Sequence, residues 1–177
     1  MREALVQLQT EGLVVMRPQS GTFVTDLTPT DVHQICATRR ILEVGALRLG
    51  GEGIPRDRLA QLGLLVGQAS IALTDGDLAR CDELDCDFHE ALIATSANPY
   101  LVKTYASISD LLRALRQHMP RSHERMARAI TQHRHIIDLW AAGRVDSAAT
   151  ELETHVGNVE RLLTSAGTQI GGAQSGR

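Results

Sequence analysis

The stretch Asp85-Cys86-Asp87-Phe88-His89-Glu90-Ala91-Leu92 decides the fold that this sequence predicts. It lies in a segment, residues 77–96, whose apolar residues recur every three or four positions, as is typical of an amphipathic helix. The predicted apolar stripe is Cys81, Asp85, Phe88 and Leu92, and His89 follows Asp85 by one turn on the adjoining row. Burying a carboxylate or an imidazole without partners is costly, so this stripe indicates a polar site inside a helical core.

Two later helices each place one histidine on an apolar stripe. Helix 121–142 carries His133 among Met126, Ile130, Ile137 and Trp140, and helix 144–164 carries His155 among Val145, Ala148, Leu152, Val159 and Leu162. His135 lies about 200° from His133 around its helix, so it should face solvent or a neighbouring element. Three histidines and one carboxylate are therefore predicted to converge from three helices.

Asp85, His89, His133 and His155 together match the nitrogen and oxygen donors that a divalent transition metal requires in a rigid frame. Four ligands would leave positions open for water or a ligand on an octahedral ion. The alternative is a buried hydrogen-bond network in which Asp85 neutralises one protonated histidine.

A further helix, residues 31–49, places Arg39 inside an apolar stripe made of Val32, Ile35, Leu42, Ala46 and Leu49. A guanidinium stays protonated in a protein, so an inward Arg39 needs an anion. Three interpretations remain open: a bound anion, an ion pair with an internal carboxylate, or a side chain that reaches the rim of the core.

The composition predicts an all-α fold. Of the 177 residues, 43% are hydrophobic but only 3% are aromatic, so Leu, Ile, Val and Ala must build the core, which favours helices packed on helices. Breaks at 50–55, 75–77, 98–99, 120 and 143 divide residues 28–165 into six helices with short connections, which predicts an antiparallel bundle. The odd, unclustered cysteines Cys36, Cys81 and Cys86 predict buried free thiols.

Charge and hydropathy restrict the location and the partners. The net charge of −3 gives no overall attraction to nucleic acid or to an anionic membrane. No apolar run approaches the roughly 20 residues of a membrane span, and no signal peptide opens the chain, so we expect a cytoplasmic protein without a membrane partner.

The first 27 residues predict a different unit. Residues 2–11 are expected to form a short helix, and residues 13–16 and 22–25 form strands around a turn-rich link, which predicts a β-hairpin. Thr28 or Thr30 can cap the next helix, and Asn98 can cap a later one. The Gly-rich residues 166–177 are predicted to be a disordered tail.

Several motifs of the helical region resemble the FadR-type C-terminal ligand-binding domain of GntR-family transcription regulators. Residues 85–92 and 94–101 are similar to its D-x-x-F-H…A-x-x-N-P-x-L signature, His133 to Ile137 resemble H-R-x-I-I, and Arg39 to Glu43 resemble R-R-x-L-E. Ala148 and His155 match the last helix. The resemblance implies a helical sensor domain over residues 28–165 that binds zinc, nickel or manganese through Asp85, His89, His133 and His155, with a small carboxylate effector contacting Arg39.

The front of the chain resembles the end of a recognition helix and the wing of a winged helix-turn-helix. The resemblance implies operator DNA as a partner of a homodimer, with the DNA-facing positions Arg2, Arg17, Ser20, Gly21 and Thr22. The first two helices of that domain and the start of its third are absent from the sequence, and residues 1–27 carry two arginines against three acidic residues, so weak DNA binding is expected.

Two other functions remain open. A metal with open positions can activate water, but the sequence has no H-E-x-x-H motif and offers no general base near the site, so an enzyme is not expected. The other alternative is a metal-dependent ligand-binding or dimerisation module that does not bind DNA.

Overall fold

The computed structural model describes residues 14–17, 21–24, 27–117, 119 and 121–165, together with Glu3, Leu5, Val6 and Gln9. Within these ranges the chain forms two strands and six helices. They are β1 (Val14–Arg17), β2 (Gly21–Val24), α1 (Pro29–Gly50), α2 (Arg56–Thr74), α3 (Leu78–Ala94), α4 (Pro99–Gln117), α5 (His123–Ala141) and α6 (Val145–Ser165). The predicted all-α class is confirmed.

The strands β1 and β2 form the predicted antiparallel hairpin, with Val14 opposite Val24 and Arg17 opposite Gly21. Each strand is displaced by one residue from its predicted position. Of the short helix predicted over residues 2–11, the structure describes four residues, and these are helical. Arg2, Ser20 and the tail predicted over residues 166–177 lie outside the described residues.

Local hydrogen bonds fix where the helices begin. Thr28 caps α1, because its hydroxyl accepts a hydrogen bond from the Asp31 backbone while the Asp31 carboxylate accepts one from the Thr28 backbone. Asn98 caps α4, since its side-chain oxygen accepts from the backbone N–H groups of Tyr100 and Leu101. These caps satisfy backbone N–H groups that the first turns of α1 and α4 would otherwise leave without partners.

The six helices pack around one apolar interior. Helix α1 packs on α6, α2 packs on α3 and α5, and α5 packs on α6. The main core is aliphatic apart from a few aromatic side chains; among its buried members are Leu47, Leu62, Phe88, Leu92, Ile93, Ile136, Trp140 and Leu152. Cys36, Cys81 and Cys86 are buried and free, as predicted. None of the helices in the described ranges has the length and apolar character needed to cross a membrane.

Two residues predicted to face inward are exposed instead. Leu49 is 60% exposed and Leu162 is 39% exposed. The buried face of α1 includes Cys36, Glu43 and Leu47. Near the C-terminal end of this helix, the face predicted to be buried is therefore rotated away from the face that is buried in the structure. Leu162 lies in the last turn of α6.

Two helical glycines allow a direct test of this packing. A Cβ on Gly50 would lie 2.6 Å from Cζ2 of the buried Trp140, whereas a Cβ on Gly45 would meet nothing within 4 Å. Gly50→Ala is therefore expected to lower the free energy of unfolding by about 1–3 kcal/mol. Gly45→Ala should raise it by about 0.5–1 kcal/mol, because alanine favours a helix. Urea unfolding followed by the fluorescence of the single tryptophan measures both, and equal effects would contradict the packing.

Candidate metal centre

Four side chains that could hold a metal ion meet in the core. Asp85 and His89 come from α3, His133 from α5 and His155 from α6, and one donor atom from each lies within 4.8 Å of the others. The three histidines are buried, and His133 stacks on Phe88 with ring centroids 3.9 Å apart. The interior of the bundle therefore carries a compact polar cluster made of the four predicted ligands.

Three distances between donor atoms of the cluster are close to those between ligands on one ion. Nε2 of His155 lies 3.2 Å from Nε2 of His133 and 3.3 Å from Nε2 of His89. Oδ1 of Asp85 lies 3.5 Å from Nε2 of His133. Donors about 2.1 Å from a cation are separated by about 3.0–3.4 Å in octahedral or tetrahedral arrangements.

The outer nitrogens of two histidines face oxygen atoms. Oε2 of Glu43 lies 3.0 Å from Nδ1 of His89, although without hydrogen-bond alignment, and Oε1 of Gln132 lies 3.2 Å from Nδ1 of His155. These oxygens favour a proton on each Nδ1, which leaves the Nε2 lone pairs directed at each other. Two facing lone pairs repel, so the donor set fits a cation at the centre of the cluster.

A second layer of buried charge surrounds His89. The buried carboxylate of Glu43 accepts hydrogen bonds from Nε of Arg39 at 2.6 Å and from the hydroxyl of Tyr105 at 2.8 Å, both on Oε1. Of the three interpretations of an inward Arg39, the structure therefore shows the ion pair with an internal carboxylate, and that carboxylate is Glu43. Nη2 of Arg39 is buried and has no hydrogen-bond partner among the described residues.

Arg116, on α4, was not anticipated from the sequence. Its Nη2 lies 2.9 Å from Oδ2 of Asp85, and its Nη1 donates to Sγ of Cys86 at 2.9 Å. Arg116 follows the apolar positions Tyr105 and Leu112 at helical spacing, so the pattern that revealed Arg39 would have revealed it too.

Charge and burial favour neutral imidazoles and an ionised Asp85, the protonation states in which these four side chains could bind a metal ion. Burial and the charge of Arg39 lower the pKa of His89 well below its usual value, and burial lowers the pKa of His133 to about 4 although Asp85 opposes the shift. Burial and the other two histidines also lower the pKa of His155. For Asp85, burial would raise the pKa, but Arg116 and the histidines outweigh it and hold the pKa well below its usual range.

A cleft of about 410 Å³ opens beside the cluster, between α5, α6 and the end of α4. Asp85, Arg116 and His155 line its inner end. A ligand in this cleft would therefore reach two of the four donors and one buried guanidinium.

The remaining predicted site residues lie elsewhere. His135 is exposed, as its position on the helix opposite His133 predicts. Arg17, Gly21 and Thr22 belong to the hairpin, and the side chain of Thr22 is exposed.

The fold and the cluster define a helical bundle with a buried polar cluster, and comparison with known proteins places it in a family. The chain belongs to the GntR family of transcription regulators, in the group with an FCD domain, whose sequence profile matches residues 34–158. The resemblance seen in the motifs is thereby confirmed.

Two relatives cover most of the chain. The Nta operon transcriptional regulator of Aminobacter aminovorans is 30% identical over 180 residues, covering 96% of this chain and 81% of that protein. The HTH-type transcriptional regulator LutR of Bacillus subtilis (strain 168) is 26% identical over 184 residues, and the match covers 93% of this chain and 83% of LutR. These relatives are transcription regulators, which confirms the prediction that the chain is not an enzyme.

Solved structures share the fold. A GntR transcriptional regulator from Rhodococcus sp. RHA1 superposes with a TM-score of 0.80 at 23% identity, covering 93% of this chain and 79% of that one. The metal-free FCD domain of another transcriptional regulator gives a TM-score of 0.67 at 18% identity, covering 79% of this chain and 96% of that one.

The lowered histidine pKa values predict how the stability of the metal-free protein depends on pH. In the unfolded chain each imidazole has a pKa near 6.5, so below this pH the unfolded state binds more protons than the folded state. The free energy of unfolding should therefore fall as pH decreases from about 6.5 towards 4, by up to about 1.4 kcal/mol per pH unit for each of the three histidines.

Urea unfolding at a series of pH values, with a chelator present, measures this dependence. The exposed His135 supplies the matched control, because His135→Gln should leave the slope unchanged while His155→Gln reduces it. A flat profile between pH 6.5 and 4.5 would show that the buried histidines are protonated in the fold.

Proposed function

We propose that this chain is a regulator whose helical domain senses a small carboxylate through a divalent transition metal, zinc, nickel or manganese, bound by Asp85, His89, His133 and His155. The observation that carries the proposal is the cluster of four donors at the inner end of an open cleft. The distances from His89 to His155, from His155 to His133 and from His133 to Asp85 are 3.2–3.5 Å between donor atoms. A bound ion would supply positive charge and open coordination positions to an anion.

The charges around the cluster favour a carboxylate. Arg116 lines the cleft beside Asp85, and Nη2 of Arg39 is buried without a partner among the described residues. A guanidinium matches the two oxygens of a carboxylate, and an unpaired buried donor is costly until an anion meets it. In this proposal Arg116 contacts the effector from the cleft, and Arg39 provides the deeper contact.

We propose operator DNA and a second copy of the chain as partners of the same regulator. Support comes from the relatives named as HTH-type regulators and from the hairpin, which matches the predicted wing. A homodimer would present two such wings to a two-fold symmetric operator. The contacts to DNA assigned to Arg2, Arg17, Ser20, Gly21 and Thr22 remain part of the proposal.

Metal analysis of matched variants tests the cluster. The purified protein is expected to bind about one divalent metal ion per chain. His133→Ala should weaken zinc affinity by more than about 100-fold, because even the loss of an outer partner of a ligand costs 10–100-fold. His135→Ala, two residues away and exposed, should change it little. Competition with a chromophoric chelator measures both, and equal effects would contradict the ligand set.

A conservative variant tests the role of Arg39. Arg39→Lys keeps a positive charge beside Glu43 but removes the unpartnered Nη2. We expect unchanged zinc content and at least about tenfold weaker acetate binding by calorimetry, with acetamide not binding either protein. If Arg39→Lys leaves acetate affinity unchanged, Arg39 only pairs with Glu43 and does not contact the effector. If acetate still binds after a chelator has removed the metal, the effector is not sensed through a metal.

A further inference from the structure

The cleft beside the cluster is long and continues well beyond the donors. Helices α5 and α6 are joined by a short turn and run antiparallel, and His133 meets His155 across them. From that level the lining continues through Ala129 and Val159 to Arg128 and Arg161. Arg128 is five residues from His133 and Arg161 is six from His155, so these arginines lie about 8–9 Å along the helix axes from the donors.

The cleft has three chemically different zones along this length. The inner end holds Asp85, His155 and Arg116, and the middle combines the apolar Met119, Ala129 and Val159 with the polar Gln132 and Asn158. At the outer end, Arg128 and Arg161 are exposed. A single short carboxylate would occupy only the first of these zones.

The outer arginines are available to a ligand at low cost. Arg128 pairs with Glu124 at 3.0 Å, but both side chains are mostly exposed, and Arg161 donates to Asn158 within its own helix. Exposed pairs of this kind contribute little free energy, so a ligand anion can replace them. Arg125, by contrast, is held by Asp82 at 2.7 Å in a half-buried ion pair.

The net charge of the lining is positive. Among its described residues are four arginines and two carboxylates, those of Asp85 and Glu124. Since two arginines lie at the far end, a ligand with negative charge at both ends and an apolar middle complements all three zones.

We infer that the effector is an elongated dianion, an α,ω-dicarboxylate of about six to eight carbons. Each C–C bond of about 1.5 Å adds somewhat less than its own length to an extended chain, so a chain of this size spans the distance from the cluster to the outer arginines. One carboxylate lies at the cluster beside Arg116, the methylene chain packs on Met119, Ala129 and Val159, and the second carboxylate pairs with Arg128 and Arg161. This inference rests on the proposed carboxylate-sensing function and adds the length and second charge of the ligand.

Calorimetry on the zinc-loaded full chain, with pimelate and heptanoate as probes, tests the inference. The two acids have the same number of carbons and differ in the second carboxylate. We expect pimelate to bind at least about tenfold more tightly at low salt, and the Arg128→Gln, Arg161→Gln double variant to remove this difference while leaving heptanoate affinity unchanged. Arg58→Gln, an exposed arginine on α2, is the matched control and should have no effect.

The outcomes separate the two levels of the proposal. Heptanoate binding as tightly as pimelate, or a preference for pimelate that survives the double variant, would overturn the dianion. Acetate binding to the zinc-loaded protein without binding of either long acid would also overturn it, while leaving carboxylate sensing intact. If none of the acids binds and zinc is not retained, the proposed function itself fails.

Discussion

The close approach of three buried imidazoles is the constraint on which the rest of the structure depends. Nε2 of His155 lies within 3.3 Å of the Nε2 atoms of both His89 and His133 in an interior that is otherwise largely aliphatic. Imidazoles with their Nδ1 atoms protonated cannot share this space without repulsion between lone pairs. A cation at the centre of the cluster, or a proton on one of the facing nitrogens, removes this repulsion, so the cluster adds a polar constraint to the apolar packing of α3, α5 and α6.

The charges around the cluster explain the buried polar residues of α1 and α4. Glu43 places a carboxylate beside His89, Arg39 and Tyr105 hold that carboxylate, and Arg116 holds Asp85. Each member would be costly to bury alone, and removing one would leave its partner with an unbalanced charge. The helix α3, which carries Asp85 and His89, therefore depends on two neighbouring helices, α1 and α4, that contribute only orienting charges to the cluster.

The sequence predicted those parts of the molecule that follow from helical periodicity. Breaks at glycine and proline separated the six helices, and the stripes of α3, α5 and α6 identified His89, His133 and His155 as inward-facing. Glu43 was missed because a glutamate four residues after an arginine is also the pattern of an exposed helical ion pair. Arg116 was missed because an arginine in the last turn of a helix is also the pattern of an exposed residue that complements the helix dipole. The cleft could not be predicted because its walls come from separate helices. Leu49 shows the limit of a fixed three-four spacing near a helix end.

The ligand set is the central claim, and X-ray absorption at the zinc edge of the zinc-loaded full chain tests it most directly. We expect a first shell of nitrogen and oxygen at about 2.0–2.2 Å with the multiple-scattering pattern of three imidazoles. A sulfur scatterer at about 2.3 Å, which only Cys36, Cys81, Cys86 or a methionine could supply, or a shell with fewer than two imidazoles, would contradict it.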